Sequence, residues 1–234
     1  MKPVGRLRRA LQWMSRVSQL PYYWRTATRI DRDGFDRRHG TDTSRLVQTR
    51  APAGYLVNRY ETADAAAIAR AIESVGIDAS RFTFVDLGCG KGKPVIIAAG
   101  CPFRRVIGVD ISPPVVAIAR KNIGLCGLAG RVELVVADAV GYDIPAGPVL
   151  IYLFNPFPER IVTLVMEKLV RRLAAFPDEP IVIVYMNPEH AHVIEQTGRF
   201  RRVSEVPGIG SPYERACGYV GQGDRGGAGP ARDA

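Results

Sequence analysis

The 234-residue sequence has few histidines and cysteines and no long apolar run. None of its four cysteines (Cys89, Cys101, Cys126 and Cys217) forms a CxxC pair or has a histidine nearby at the spacing of zinc ligands. A metal site and structural disulfides are therefore disfavoured, and buried free thiols in a reducing compartment are expected. No stretch approaches the roughly 20 apolar residues that span a bilayer, and no secretory signal follows the basic N-terminus. These absences predict a cytoplasmic protein.

Acidic residues are scarce near the N-terminus, where the positive charge of the chain is concentrated. Residues 1–50 hold twelve Lys or Arg and four Asp, a net charge of +8, whereas the other 184 residues together carry +1. Apolar residues recur there every three or four positions and predict one face of a helix, which Pro21 should end. The members of this stripe are Val4, Leu7, Leu11, Met14 and Val17.

The basic N-terminal extension, residues 1–50, has four competing interpretations. It could lie on an anionic membrane surface, contact nucleic acid, fold over a substrate pocket as a lid, or form a solvated basic helix that caps the sheet. No recognised nucleic-acid-binding module occurs in the sequence. The lid and the solvated helix are therefore favoured over the other two.

Residues 51–220 alternate between strand-like and helix-like segments, which predicts an α/β domain with a mostly parallel sheet. Helices are predicted over 63–75, 94–100, 114–123, 159–175 and 189–197. Strands are predicted over 82–86, 105–110, 132–137, 149–154, 180–186, 200–206 and 214–220. The last two strands lack a strong helix between them, which suggests a terminal antiparallel hairpin. Residues 221–234 are Gly-rich and nearly devoid of apolar side chains, so they are expected to be disordered.

A glycine-rich loop with the sequence VDLGCGKG, ending at Gly92, follows the first predicted strand and precedes a helix. Glycines in such a turn let the backbone approach a ligand closely. The dinucleotide fingerprint GxGxxG is not matched, because the third glycine comes one position early and Lys93 takes its place. Asp86 lies two positions before Gly88, where a carboxylate would oppose a pyrophosphate but suit an ammonium group such as that of a methionine moiety.

Acidic residues also follow the next two predicted strands. Asp110 ends the second strand, where a carboxylate can accept hydrogen bonds from both hydroxyls of a ribose. Asp138 follows the third strand, where it could accept from an adenine amino group. A single acid at a strand end is usually a capping residue. Three of them on the edge where open α/β sheets bind ligands favour a nucleoside-type cofactor.

These segments resemble the motifs of the class I, seven-stranded S-adenosylmethionine-dependent methyltransferases. FVDLGCGKG is similar to their first motif, VIGVDIS to the second and VVADA to the third, and LIYLFNPFP occupies the place of the fourth. The resemblance covers residues 55–220. It implies S-adenosylmethionine as cofactor and a doubly wound sheet with an antiparallel seventh strand.

The resemblance also implies roles for individual residues. Asp86 and the loop residues Gly88, Cys89 and Gly90 would surround the methionine end of the cofactor. Asp110 would bind the ribose and Ile111 would pack beside the adenine, while Asp138 and the backbone of Ala139 would hold the adenine amino group. Two further stretches, FDRRHGTDT from Phe35 and RYET from Arg59, resemble a bacterial subgroup of unknown substrate. Tyr60, Glu61 and Thr62 of the second stretch could close the pocket.

The sequence Asn155-Pro156-Phe157 partly matches the (Asn/Asp)-Pro-Pro-aromatic motif of amino-group methyltransferases. In that motif, Asn155 would hold both cofactor and acceptor nitrogen, and Phe157 would stack on the substrate. The second proline is missing, so a proline-rich turn ending the central strand is an equal alternative. The match favours a nitrogen acceptor on a protein or small molecule.

The leading hypothesis is methyl transfer from S-adenosylmethionine to an unidentified acceptor, with no metal. Glu61, Asp143 and His190 are candidate general bases without strong support. The alternative is a protein that binds a nucleoside cofactor without transferase activity. A nicotinamide dehydrogenase is a distant third, disfavoured by Asp86 and Lys93.

Overall fold

The structure, a computed structural model, describes residues 31–44, 63–154, 156–208 and 215–222. The predictions for the helix before Pro21, for residues 60–62 and for Asn155 therefore lie outside the described residues. The predicted disordered tail, residues 221–234, lies outside them from residue 223 on, but the prediction is wrong for Gly221, which ends a strand. Among the residues that are described, no helix is long and apolar enough to cross a membrane.

The described helices are numbered in chain order. They are α1 (Phe35–His39), α2 (Ala65–Glu73), α3 (Lys93–Ala99), α4 (Pro113–Leu125), α5 (Glu159–Ala175) and α6 (Ala191–Gln196). A 3-10 turn, Ala79–Arg81, precedes the first strand. The strands are β1 (Thr83–Leu87), β2 (Arg105–Asp110), β3 (Val132–Val136), β4 (Val149–Phe154), β5 (Ile181–Met186), β6 (Phe200–Val206) and β7 (Ala216–Gly221).

The seven strands form one sheet in the order β3-β2-β1-β4-β5-β7-β6. The first five positions are parallel, and β7 pairs antiparallel with both β5 and β6. From β1 the chain first adds strands on one side, β2 and β3, and then crosses to the other side to add β4 and β5. Open α/β sheets form a crevice at the carboxyl ends of their strands where the strand order reverses in this way, here between β1 and β4. The predicted doubly wound sheet with an antiparallel last strand is confirmed.

Helices cover both faces of this sheet, so its central strands are buried on both sides. Residues of α2 and α3, such as Ile68 and Val95, pack with Phe84 and Tyr152 on one face. Residues of α5 and α6, such as Leu169, pack on the other face. The continuous apolar run of β4 lies at the centre of the sheet, as its sequence predicts.

The predicted bounds of β2, β4, α5 and β6 agree with the structure, and those of the other predicted elements differ by one or two residues at one or both ends. Helix α4 runs on to Leu125, two residues past the predicted end, and α6 begins at Ala191 instead of Glu189. The short helix α1 was not predicted. The four cysteines are free thiols, but only Cys89 and Cys217 are buried, so the expectation of burial is wrong for Cys101 and Cys126.

Candidate cofactor site

The three acidic residues singled out in the sequence follow three neighbouring strands at one edge of the sheet. Asp86 lies in β1, Asp110 ends β2, and Asp138 comes two residues after β3. Because β3, β2 and β1 are adjacent and parallel, these carboxylates share the carboxyl edge of the sheet. This placement was predicted, and the structure agrees with it.

The glycine loop (residues 88–92) connects β1 to α3 through three left-handed turns of the backbone. The φ angles are 87° at Gly88, 53° at Gly90 and 88° at Gly92, a region that side-chain-bearing residues rarely adopt. The N–H groups of Gly88 and Cys89 both donate to the carbonyl oxygen of Val109 in β2, at 2.8 and 2.9 Å. The loop is therefore held against the neighbouring strand.

Asp110 holds the glycine loop from the end of β2. Its Oδ2 accepts the N–H of Gly90 at 3.0 Å, and its Oδ1 accepts the N–H of Ser112 at 2.9 Å. Burial raises the pKa of Asp110, while the two backbone hydrogen bonds lower it, and the balance lies above the ordinary value. Each carboxylate oxygen has a second lone pair with which it could accept a ligand hydroxyl.

Asp86 is a buried carboxylate whose Oδ2 has no hydrogen-bond partner among the residues that the structure describes. Asp86 is 1% exposed and lies in register with Tyr152 of β4. The Tyr152 hydroxyl is also buried and has no hydrogen-bond partner among the described residues. Burial, and next the charge of Asp110, raise the pKa of Asp86 well above its ordinary range. A buried polar atom without a partner is costly in a folded protein. The sequence singled out Asp86 but not Tyr152, because a tyrosine within the apolar run of β4 resembles any other core residue.

The side chain of Cys89 points away from the loop toward β2. A β-carbon on Gly108 would lie 3.0 Å from the Cys89 Sγ, so the thiol packs directly against that strand. Burial, followed by the charges of Asp86 and Asp110, raises the pKa of the Cys89 thiol well above its ordinary value. A buried thiol of this kind is not a nucleophile. A role for Cys89 in cofactor binding would use its backbone.

The segment after β3 places Asp138 and Ala139 beside the other two acids. Asp138 Oδ1 accepts the N–H of Val140 at 3.1 Å, which closes a tight turn. Lys168 of α5 donates to the carbonyl oxygens of Val140, at 3.1 Å, and Tyr142. Ala139 is buried, and Asp138 and Ile111 are partly buried. Lys168 thus anchors the turn that follows β3 to α5, which lies on the face of the sheet away from α2 and α3.

Pro156 and Phe157, from the partly matched fourth motif, pack on the first glycine of the loop. A β-carbon on Gly88 would lie 2.5 Å from the Pro156 Cβ and 3.7 Å from the Phe157 Cζ. The structure therefore brings the turn after β4 into contact with the turn after β1, at the point where the strand order reverses. The predicted catalytic roles of Asn155, Pro156 and Phe157 stay predictions.

Two of the three candidate bases, Asp143 and His190, lie in the part of the chain that the structure describes. Glu61 lies outside the described residues. The Asp143 side chain is fully exposed and 4.0 Å from the Lys168 ammonium. His190 precedes α6, with its ring 6.2 Å from that of His192. Within the described ranges there is no group of three or more His, Cys, Asp or Glu residues that could hold a metal ion.

Sequence reasoning missed a set of contacts that hold the glycine loop from the N-terminal side. Lys91 lies within the loop and is 1% exposed, and its ammonium is 2.9 Å from Asp42 Oδ1. Asn122 of α4 bonds both to the backbone of Asp42 and to the carbonyl oxygen of Lys91. These residues are separated by up to 80 positions in sequence, so no local pattern marks them.

The seven-stranded sheet with its antiparallel last strand and flanking helices has the fold of the class I methyltransferase type. Residues 84–175 match the family model described as "Methyltransferase domain". The predicted resemblance to the class I S-adenosylmethionine-dependent methyltransferases is thus confirmed over this part of the chain. S-adenosylmethionine is the cofactor that defines this class.

Curated relatives match over a similar region. The chain is 39% identical over 82 residues to the ribosomal protein L11 methyltransferase of Aeromonas salmonicida (strain A449), which covers 31% of this chain and 28% of the relative. It is 37% identical over 82 residues to the protein of that name from Edwardsiella ictaluri (strain 93-146), with the same coverage. The chain thus spans less than a third of the length of these relatives.

Solved structures of methyltransferases are also similar. An RNA methyltransferase from Salinibacter ruber in complex with S-adenosyl-L-homocysteine has a TM-score of 0.46 and 25% identity, over 68% of this chain and 91% of that one. The N-methyltransferase NodS from Bradyrhizobium japonicum WM9, also in complex with S-adenosyl-L-homocysteine, has a TM-score of 0.48 and 14% identity, over 68% and 85% of the two chains.

Proposed function

We propose that this protein transfers a methyl group from S-adenosylmethionine to an acceptor that binds beside the turn after β4. The observation that carries the proposal is the buried Asp86 carboxylate at the carboxyl edge of the sheet, one of whose oxygens has no partner within the described part of the chain. An ammonium group at that position would offset the cost of burying the carboxylate. S-adenosylmethionine has such a group, and the nearby Asp110 and Asp138 suit its ribose and adenine amino group.

The chain's own residues would bind, orient and shield the reacting groups. When bound, the cofactor supplies a methyl group already activated by its positively charged sulfur. Asp110 would hold the cofactor from the end of β2, where it is itself oriented by the N–H groups of Gly90 and Ser112. Pro156 and Phe157, packed on Gly88, would exclude water from the space above the loop. Alignment of an acceptor with the methyl group is the main task left to the protein.

We infer that the acceptor atom is nitrogen, on a protein or a small molecule. The support is the Asn155-Pro156-Phe157 sequence together with the contact that Pro156 and Phe157 make with the loop. The similarity to ribosomal protein L11 methyltransferases supports a protein acceptor and a cytoplasmic location.

The first experiment is transfer of radiolabelled methyl from S-adenosylmethionine into fractionated extract. The full chain is compared with Asp110→Ala and with Asp178→Ala, which changes an exposed loop aspartate. We expect label in the protein fraction with the wild type and Asp178→Ala, and at least a tenfold loss with Asp110→Ala, since a charged hydrogen bond contributes about 1.5–3 kcal/mol.

Each other outcome has a defined meaning. Label in nucleic acid would overturn the inferred acceptor class but not methyl transfer. Binding of S-adenosylhomocysteine without labelling of any fraction would favour the non-catalytic alternative. No binding and no labelling would contradict the proposed function.

A further inference from the structure

The segment of residues 31–44, here called the clasp segment, is organised by two aspartates of its own. Asp36 accepts four hydrogen bonds: from the hydroxyl and N–H of Thr43, from the Thr41 hydroxyl, and from the N–H of Ser44, at 2.7–2.9 Å. Asp31 accepts the N–H groups of Asp36 and Arg37 at 2.8 and 3.0 Å. The segment therefore has a defined shape, built around α1.

One end of the clasp segment is attached to the start of the helix that follows the glycine loop. Lys93, the first residue of α3, is 2% exposed, and its ammonium lies 3.0 Å from Asp33 Oδ2. The same Asp33 oxygen accepts the N–H of Ala65 at the start of α2, at 2.7 Å. The Phe35 ring is buried, with the Lys93 ammonium 5.1 Å from its centre. A single carboxylate thus joins two helix starts to the clasp segment.

The other end of the clasp segment is attached to the glycine loop itself. Asp42 Oδ1 is 2.9 Å from the Lys91 ammonium, and Asn122 exchanges two hydrogen bonds with the Asp42 backbone, at 2.9 and 3.1 Å. Asn122 also donates to the carbonyl oxygen of Lys91 at 3.0 Å. Lys91 stands between Gly90 and Gly92, which both have left-handed backbones. The contact therefore holds the residue between two glycines, whose own backbones are restricted least by side chains.

We propose that the clasp segment is a positioning device for the cofactor: Asp42 and Asn122 hold Lys91 so that the glycine loop is ordered before the cofactor binds. Ordering a flexible loop on binding lowers affinity, and a loop that is already ordered avoids that cost. Gly90 is held by Asp110 on one side, and Lys91 is held by the clasp segment on the other. The inference rests on the proposed binding of S-adenosylmethionine at this loop.

The test compares Asp42→Asn and Lys91→Met with the wild type and with Glu133→Gln. Asp42→Asn leaves the almost fully buried Lys91 ammonium facing a neutral amide, whereas Lys91→Met replaces the charge with an apolar chain and relieves that burial. Glu133→Gln removes an ion pair of similar length, 2.7 Å to Arg105, that is half exposed and away from the loop. The measurements are the Kd for S-adenosylhomocysteine, the melting temperature, and hydrogen exchange at residues 88–92.

We expect both clasp variants to bind S-adenosylhomocysteine about tenfold more weakly, in line with loss of one charge-assisted contact. Their loop amides should exchange faster without ligand, and Lys91→Met should keep a melting temperature close to that of the wild type. Glu133→Gln should change none of these values. If the wild type binds and both folded variants bind within twofold of it, the clasp proposal is overturned while the proposed function stands. If the wild type does not bind, the proposed function itself fails.

Discussion

At the scale of single residues, the site depends on groups whose conformation or ionisation is unusual. Asp86 is a carboxylate buried without a full set of partners, and Gly88 adopts a backbone angle that other residues avoid. The types and spacing of these residues are visible in the sequence. Their partners are not: Tyr152 is a strand residue with a buried hydroxyl, and the Lys91–Asn122 contact joins distant positions. Long-range side-chain contacts leave no local pattern, so only the structure reveals them.

Replacing Gly88 with alanine should abolish cofactor binding. The new β-carbon would meet Pro156 at 2.5 Å and would also impose a left-handed backbone on alanine, which costs about 1–2 kcal/mol. Gly147→Ala is the matched control, since Gly147 has the same φ of 87° but nothing within 4 Å of an added β-carbon. Calorimetry with S-adenosylhomocysteine should detect binding to the control only. Equal binding by both variants would contradict the proposed contact of the Pro156 turn with the site.

Replacing Asp86 with asparagine should change how stability depends on pH. Burial raises the pKa of Asp86, so its contribution to stability is present below the unfolded pKa, about 3.9, and is lost as the pH rises through the folded pKa. Asparagine does not ionise, so the Asp86→Asn variant does not lose stability in this pH range. The difference in melting temperature, variant minus wild type, should therefore increase with pH. Affinity for S-adenosylhomocysteine should fall at least tenfold, because the ammonium partner is removed. A constant difference in melting temperature from pH 4 to 8 would contradict this assignment.

At the scale of elements, the sequence predicts best those strands and helices whose apolar residues form a continuous run or a regular repeat. The continuous apolar run of β4 and the 17-residue amphipathic α5 are predicted with their observed ends. Helix α1 is not predicted, because it has five residues between Gly34 and Gly40 and is held by aspartate side chains instead of an apolar stripe. The order of strands in the sheet follows from the family resemblance and not from any single segment.

The starts of α2 and α3 should lose stability together when Asp33 is neutralised. Burial raises the pKa of Asp33, but hydrogen bonds from Ala65 and Lys93 outweigh it and hold the pKa below its ordinary value. Its contribution is therefore present above the unfolded pKa and is lost as the pH falls through the folded one. Asp33→Asn should lower the free energy of unfolding by about 2 kcal/mol at pH 7, and by less at pH 3. Urea unfolding at both pH values measures this, with Glu133→Gln, expected to cost under about 1 kcal/mol, as the control.

At the scale of the whole molecule, binding at one edge of the sheet should stabilise the entire domain. Asp110 connects β2 to the glycine loop, and Pro156 connects the loop to β4, so a bound cofactor would join elements from both halves of the sheet. S-adenosylhomocysteine at 100 times its Kd should add about 2.7 kcal/mol to the free energy of unfolding. For a domain of this size the melting temperature should rise by about 5–10 °C. At the same concentration Asp110→Ala should show at most about half of this rise, because a tenfold weaker Kd leaves about 1.4 kcal/mol of stabilisation. A rise equal to that of the wild type would contradict the site.

The position of β7 has a consequence for how the chain is made by the ribosome. Strand β7 lies between β5 and β6 in the sheet, although it is synthesised after both. While residues 216–221 are still inside the exit tunnel, β5 presents an open edge and β6 has no strand to join. Exposed strand edges are templates for pairing with other chains. The emerging protein therefore passes through a stage at which β6 and β7, two of its seven strands, are not yet joined to the other five.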